Sequence, residues 1–292
     1  MFKGLKIPKL IRWIFWTGII FLFLMSLLRL VFYFSFSHSG EASGSLGRTF
    51  LLGFRFDLKM VCILLEAMLI IGFLNRMDPF HSSIGRKAEF ILLGIASLFF
   101  TFFYIVDFAH YSYLTQRLSA SVLNYLQDAG ISLNMVWETY PVIRLVLALL
   151  IGSLFLYWLV KRSFSLIARR AEYESGKRKW IWIVSCFLLL GLGIFGNLGQ
   201  FPLRWSDAFS LGSDYRANLA LNPFQSFFSS LKFRKSGFNL GKVKEAYPLL
   251  KPYYHLTGDS DNLKYDRAVQ SVAGPTPPNI VVVICESFSA YK

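Results

Sequence analysis

The stretch IRWIFWTGIIFLFLMSLLRLVFYFSF, Ile11–Phe36, decides what kind of chain this is. It holds two charges, Arg12 and Arg29, in an otherwise apolar run. A bilayer core takes roughly 20 mostly apolar residues to cross as a helix. Four further blocks follow the same rule. Phe50–Leu74 is the most broken, carrying Arg55, Asp57, Lys59 and Glu66. Phe90 to about Phe108 is uncharged until Asp107. Pro141–Val160 has Arg144 near its start, and Trp180 to about Leu198 has no charge. The pattern predicts five transmembrane helices. A signal peptide is a weaker reading of the first block, because the apolar run is too long and no clean small-residue cleavage site follows.

Composition agrees. The chain has 292 residues, of which 54% are hydrophobic and 16% charged, with a net charge of +14. Soluble domains carry about 25% charged residues, so this chain is short of solvated surface and, with its apolar blocks, is not expected to be a single soluble domain; the apolar content excludes disorder. The positive charge lies between the apolar blocks. Lys3, Lys6, Lys9, Arg12, Arg76, Arg86, Lys87, Lys161, Arg162, Arg169, Arg170, Lys177, Arg178 and Lys179 fall in the first segment and alternate loops. Only Arg48 and Arg117 fall in the others. Cytoplasmic loops collect Lys and Arg, so the N-terminus is expected in the cytoplasm and everything after about Gly199 outside. Topology and anionic lipid account for this charge, and no nucleic-acid partner is expected. Cys62, Cys186 and Cys285 show neither zinc nor disulfide spacing and read as small buried apolar side chains.

Three regions follow: a transmembrane domain over 1–200, a connector outside the membrane over 201–278, and the start of a further domain over 279–292. In the connector, Leu221, Phe224, Phe227, Phe228 and Leu231 recur at helical spacing within Leu219–Phe233. That pattern predicts an amphipathic helix, lying on the outer membrane surface or packed on a further domain. His255 has no partner at ligand spacing and reads as a surface histidine. Leu256–Pro278 is polar and ends in AGPTPP, a linker signal. Then NIVVVIC, Asn279–Cys285, reads as a β-strand buried on both faces, as in parallel α/β sheets. One strand cannot complete a sheet, so the chain is expected to be the front part of a longer protein. Glu286 ends the strand, where ligand and catalytic groups collect in open α/β sheets. Ser287 and Ser289 lack the G-x-S-x-G surroundings of a nucleophile and suit a helix cap better.

PNIVVVICESFSAYK (Pro278–Lys292), GFRFDLK (Gly53–Lys59), FPLRWSDAF (Phe201–Phe209) and ANLALNPFQSFF (Ala217–Phe228) together resemble the lipoteichoic acid synthase and phosphoglycerol transferase branch of the alkaline phosphatase–sulfatase superfamily. The resemblance covers the whole chain. It implies that 279–292 begins a sulfatase-like α/β domain and that Glu286 binds a divalent metal, usually Mn2+. It implies a threonine nucleophile and further Asp and His ligands beyond residue 292, so this chain by itself is expected to be inactive. It implies a bacterial cytoplasmic membrane protein that moves phosphoglycerol from a donor such as phosphatidylglycerol to an envelope glycan or teichoic acid. Phosphoethanolamine transfer within the same superfamily and a non-enzymatic multipass protein are the alternatives.

The charges inside the apolar blocks suggest a site of their own. Arg29, Arg55, Lys59 and Arg144 could hold an anionic lipid head group, balanced by Asp57 and Asp107. The competing expectation is that they form pairs between helices or reach for the membrane surface.

Overall fold

The computed structural model describes residues 7–37, 45–74, 76–169, 176–197, 199–233, 239–259, 261–267 and 281. It divides into two compact units, 1–234 and 235–292.

The first unit is a bundle of long helices. The five apolar blocks form α1 (Lys9–Phe36), α2 (Leu46–Phe73), α3 (Ser83–Leu114), α5 (Val142–Ala168) and α6 (Gly176–Phe195). Between α3 and α5 lie a 3-10 segment, Ala120–Asp128, and the short α4, Ala129–Thr139. Local chemistry sets the boundaries. The Ser45 hydroxyl accepts from Arg48 N at the start of α2, and that of Ser82 accepts from Gly85 N at the start of α3. Each satisfies one of the amides that a helix start leaves without a partner. Pro8 and Pro141 precede α1 and α5. Gly196, at φ +67°, stops α6 in the left-handed conformation that glycine adopts without strain.

α1 lies against α2 and α5, α2 against α6, and α3 against α5 and α2. The core between them includes Trp13, Phe21, Met25, Met68, Leu69, Leu93, Leu156 and Val160. Close approach is needed where α6 meets α2, since a side chain at Gly193 would overlap the Cys62 sulfur. The outward faces are apolar as well: Phe23, Phe34, Ile91, Ile95, Ile151, Leu154, Ile181 and Leu189 are all exposed. A soluble protein does not expose apolar surface on this scale.

Three helices, α1, α3 and α5, are long and apolar enough to cross a membrane. α2 matches them in length but carries the charges noted above, and the apolar part of α6, Lys179–Phe195, is shorter. α3 continues well past the expected end near Phe108, to a left-handed cap at Thr115.

In place of a single helix over Leu219–Phe233, the connector forms a 3-10 turn (Trp205–Leu211) and two short helices, α7 (Asp214–Ala220) and α8 (Pro223–Ser230). The break has a local cause. Pro223 disfavours helical backbone at the residue before it and suits the first helical position. Asn222 caps α8 by accepting from Gln225 N at 2.8 Å. Leu219, Leu221 and Phe224 are buried against the helix bundle, while Phe228 and Leu231 are exposed.

The second unit is small. α9 (Leu240–Tyr254) starts at the cap Asn239 and ends at His255, an exposed residue with positive φ. Tyr247 is buried, and its hydroxyl donates to the Lys264 carbonyl. A single antiparallel bridge joins Leu256 to Arg267. The described residues contain no strand. Apart from Val281, the expected strand Asn279–Cys285 lies outside the described residues, as do Glu286, Ser287 and Ser289.

Candidate functional site: a buried charge clamp

One end of the bundle is closed by charged side chains that grip the connector. α1 and α3 finish there and α2 begins there. Four charged side chains are buried at this end among the described residues: Arg29 on α1, Asp57 on α2, Asp107 on α3 and Arg117 just after α3. Buried ions are retained where they are paired and hydrogen-bonded, and these four are both.

The Arg29 guanidinium meets both Asp57 carboxylate oxygens at 2.7 Å. It also donates to Gly53 O at 3.0 Å, to Ala220 O at 2.6 Å and to Leu219 O. Gly53 is required by this geometry, because a side chain there would overlap the guanidinium. Asp57 takes a further hydrogen bond from Asn222 Nδ2 at 3.0 Å. Alongside, Arg117 pairs with Asp107 and donates through Nε to Asn218 O at 2.7 Å. Asp107 also accepts from Leu118 N at 2.9 Å. The Arg117 guanidinium carbon lies 3.8 Å from the centre of the Phe32 ring, a cation–π contact.

The two arginines between them receive three successive carbonyls, Asn218, Leu219 and Ala220, from the C-terminal end of α7. Those carbonyls are the acceptors that a helix end leaves unsatisfied, and the helix dipole makes that end favour cations. Asn222, at the start of α8, faces the carboxylate of Asp57 instead. The arginines therefore meet the negative end of α7, and Asp57 meets the side-chain amide of the residue that caps α8. Phe224 inserts next to the break and lies near-parallel to Phe103 on α3, with ring centres 5.0 Å apart. The gap lined by Leu28, Arg29, Tyr104, Phe108, Arg117, Leu221 and Asn222 is too narrow to admit water.

Other charges fasten the segment that leads from α6 to α7. Arg55 donates to Gly196 O at 2.7 and 3.1 Å and to Asn197 Oδ1 at 3.0 Å. Lys59 donates to Leu203 O at 2.8 Å. The residues expected to gather round a lipid head group therefore separate into groups. Arg29, Asp57 and Asp107 lie inside the clamp, Arg55 and Lys59 are half-buried on backbone carbonyls, and Arg144 is exposed on the first turn of α5. Two members of the clamp went unrecognised in the sequence. Arg117 stood out only as a loop charge. Asn222 could have been found from the Asn-Pro pair, which is a helix-start signal.

Among the described residues, no group of three His, Cys, Asp or Glu side chains converges as a metal site. No family model, curated protein or solved structure matches this chain.

Proposed function

We propose that this chain is the membrane platform of a metal-dependent transferase that moves phosphoglycerol from a phospholipid to an envelope glycan or teichoic acid. Five helices would span a bacterial cytoplasmic membrane, with the N-terminus in the cytoplasm and the connector outside. The observation that carries the reading is the clamp. Arg29, Asp57, Asp107 and Arg117 lock 218–222 to the bundle, so the chain leaves the membrane helices at a fixed point. Work on a lipid that stays in the bilayer favours a connector that leaves the membrane at a set depth.

In this reading Glu286 contributes to a divalent-metal site, with Mn2+ as the expected ion. The metal would lower the pKa of an attacking hydroxyl and stabilise charge on the phosphoryl oxygens. In this reading the clamp residues hold the connector, and the chemistry falls to other residues. Arg29 is committed to the clamp. A head-group contact falls first to exposed Arg144, and then to Arg55 and Lys59, which keep donors unused among the described residues.

The test uses membranes carrying the protein encoded by the gene for this sequence. They are given phosphatidylglycerol labelled in an acyl chain, with and without Mn2+. The reading expects release of diacylglycerol that depends on metal and is abolished by Glu286→Gln. Release from phosphatidylethanolamine alone would move the assignment to phosphoethanolamine transfer. No release from either lipid would overturn it.

A further inference from the structure

At the other end of the bundle, a carboxylate is buried without a hydrogen-bond partner among the described residues. Glu89 lies in the second turn of α3, is 0% exposed, and neither of its carboxyl oxygens has a hydrogen-bond partner among the described residues. The carboxyl lies against the backbone of α2 at Gly72. A side-chain carbon added there would sit 3.3 Å from Glu89 Oε1 and 2.7 Å from Leu10 Cδ1 of α1. α1 brings two further unpartnered and fully buried polar atoms to the same end, Trp13 Nε1 and Thr17 Oγ1. The Trp13 ring packs on Phe90, the residue after Glu89.

Two charges near this end, Asp78 and Arg86, are committed elsewhere. Asp78, a carboxylate of the same sign, is buried in the loop between α2 and α3. Asp78 itself is held by Lys179 Nζ of α6 at 3.4 Å and by His81 Nδ1 at 3.2 Å. Arg86, one turn before Glu89, donates to Pro79 O at 3.1 Å and lies over the Phe164 ring of α5. A carboxylate anion in a dry interior with no donor or cation is strongly disfavoured, and such a group neutralises instead. The close fit against Gly72 and Leu10 leaves no room on that side for a hydrated ion.

We propose that Glu89 is a proton-binding site within the helix bundle. At neutral pH it holds one proton and stands as a neutral carboxylic acid at the joint of α1, α2 and α3. Loss of that proton leaves an unpaired anion against the α2 backbone, and loosens the joint. Ionisable residues inside membrane helices commonly mark such proton sites. The proposal is independent of the transferase reading.

The test uses the full chain in lipid vesicles. The infrared difference spectrum of wild type minus Glu89→Gln at neutral pH should contain the carbonyl band of a protonated carboxylic acid. Dicyclohexylcarbodiimide, which modifies protonated buried carboxyls, should label Glu89 in the wild-type protein at neutral pH and lose that label as pH is raised. Because glutamine mimics the neutral acid, Glu89→Gln should leave the melting temperature at neutral pH within about 2 °C of wild type, and it should flatten the alkaline fall in melting temperature. An absent band with no label would overturn the proposal. So would a large stabilisation by glutamine, which would reveal an unpaired anion, or a large destabilisation, which would reveal a bound cation. The labelling is done on wild type, so it stands even if the variant fails to fold.

Discussion

The Arg29 guanidinium closes on both carboxylate oxygens of Asp57 at 2.7 Å, with both side chains inside the protein. This pair joins α1 to α2. Because Arg29 also receives the carbonyls of Leu219 and Ala220, it joins the connector to both helices. Breaking a buried pair by removing one member costs about 3–5 kcal/mol, since the other is left charged and alone. Arg29→Gln is therefore expected to cost at least that much. Asp57→Asn should cost less, because the guanidinium keeps its carbonyl partners. Thermal unfolding in detergent, followed by helix content, measures both. Equal losses would show that the carbonyl contacts contribute nothing.

Gly53→Ala tests the tightness of the same pair. The added methyl overlaps the Arg29 guanidinium, and overpacking a well-filled site costs about 1–3 kcal/mol. The variant should lose stability within that range, and combining it with Arg29→Gln should add little, because the overlapped group is gone. Full additivity in the double-variant cycle would contradict the contact.

Asn222→Ala removes a helix cap and a hydrogen bond to a buried carboxylate at once. Caps contribute about 1 kcal/mol, and hydrogen bonds to charged groups about 1.5–3 kcal/mol. A loss of about 2–4 kcal/mol is expected. Asn222→Asp keeps the cap but sets a second carboxylate against Asp57, so it should be worse than alanine. Chemical denaturation of the two variants side by side checks the order.

The second unit should respond to alkali through Tyr247. Burial, with the charges of Tyr265, Asp259 and Asp266, raises its phenol above the ordinary value. The folded state then holds the proton more tightly than the unfolded state. This contribution is complete below about pH 10 and is lost as pH climbs through the raised value. Tyr247→Phe removes both the titration and the hydrogen bond to the Lys264 carbonyl. Its stability should be lower at neutral pH and flatter above pH 10, as measured by proteolysis of α9 across pH.

Orientation is checked by reporter fusions. The lysine and arginine distribution predicts cytoplasmic reporters when they are joined after Arg76 or Arg170, and external ones after Ser37, Arg117 or Gly199. A cytoplasmic reporter after Gly199 would remove the transferase reading, because the connector would be on the wrong side.

The helices were legible because an apolar run of membrane length has few other solutions. α2 was the least clear because its charges are satisfied by partners far away in sequence. Arg29 lies 190 residues from the Leu219 carbonyl it binds. Much of the clamp is made with backbone carbonyls, and no side-chain pattern announces a carbonyl. That is why Arg29 and Asp57 suggested a head-group site when read as isolated charges. The apolar spacing of Leu221, Phe224 and Phe228 predicts one amphipathic helix, on the membrane surface or packed on a further domain. The Asn222–Pro223 break divides that helix and turns Leu221 and Phe224 onto the bundle. Glu89 drew no notice at all, since a lone carboxylate just before Phe90 looks like the solvated edge of a membrane block.

The most direct measurement is hydrogen–deuterium exchange of the full chain in lipid nanodiscs, read over residues 214–226. The clamp predicts that the amides of α7 and the start of α8 are protected as strongly as those of α1 and α2, and that Arg29→Gln releases them while α5 keeps its protection. Exchange of 214–226 at the rate of an open loop in the wild-type chain would contradict the claim that the connector is locked to the membrane helices.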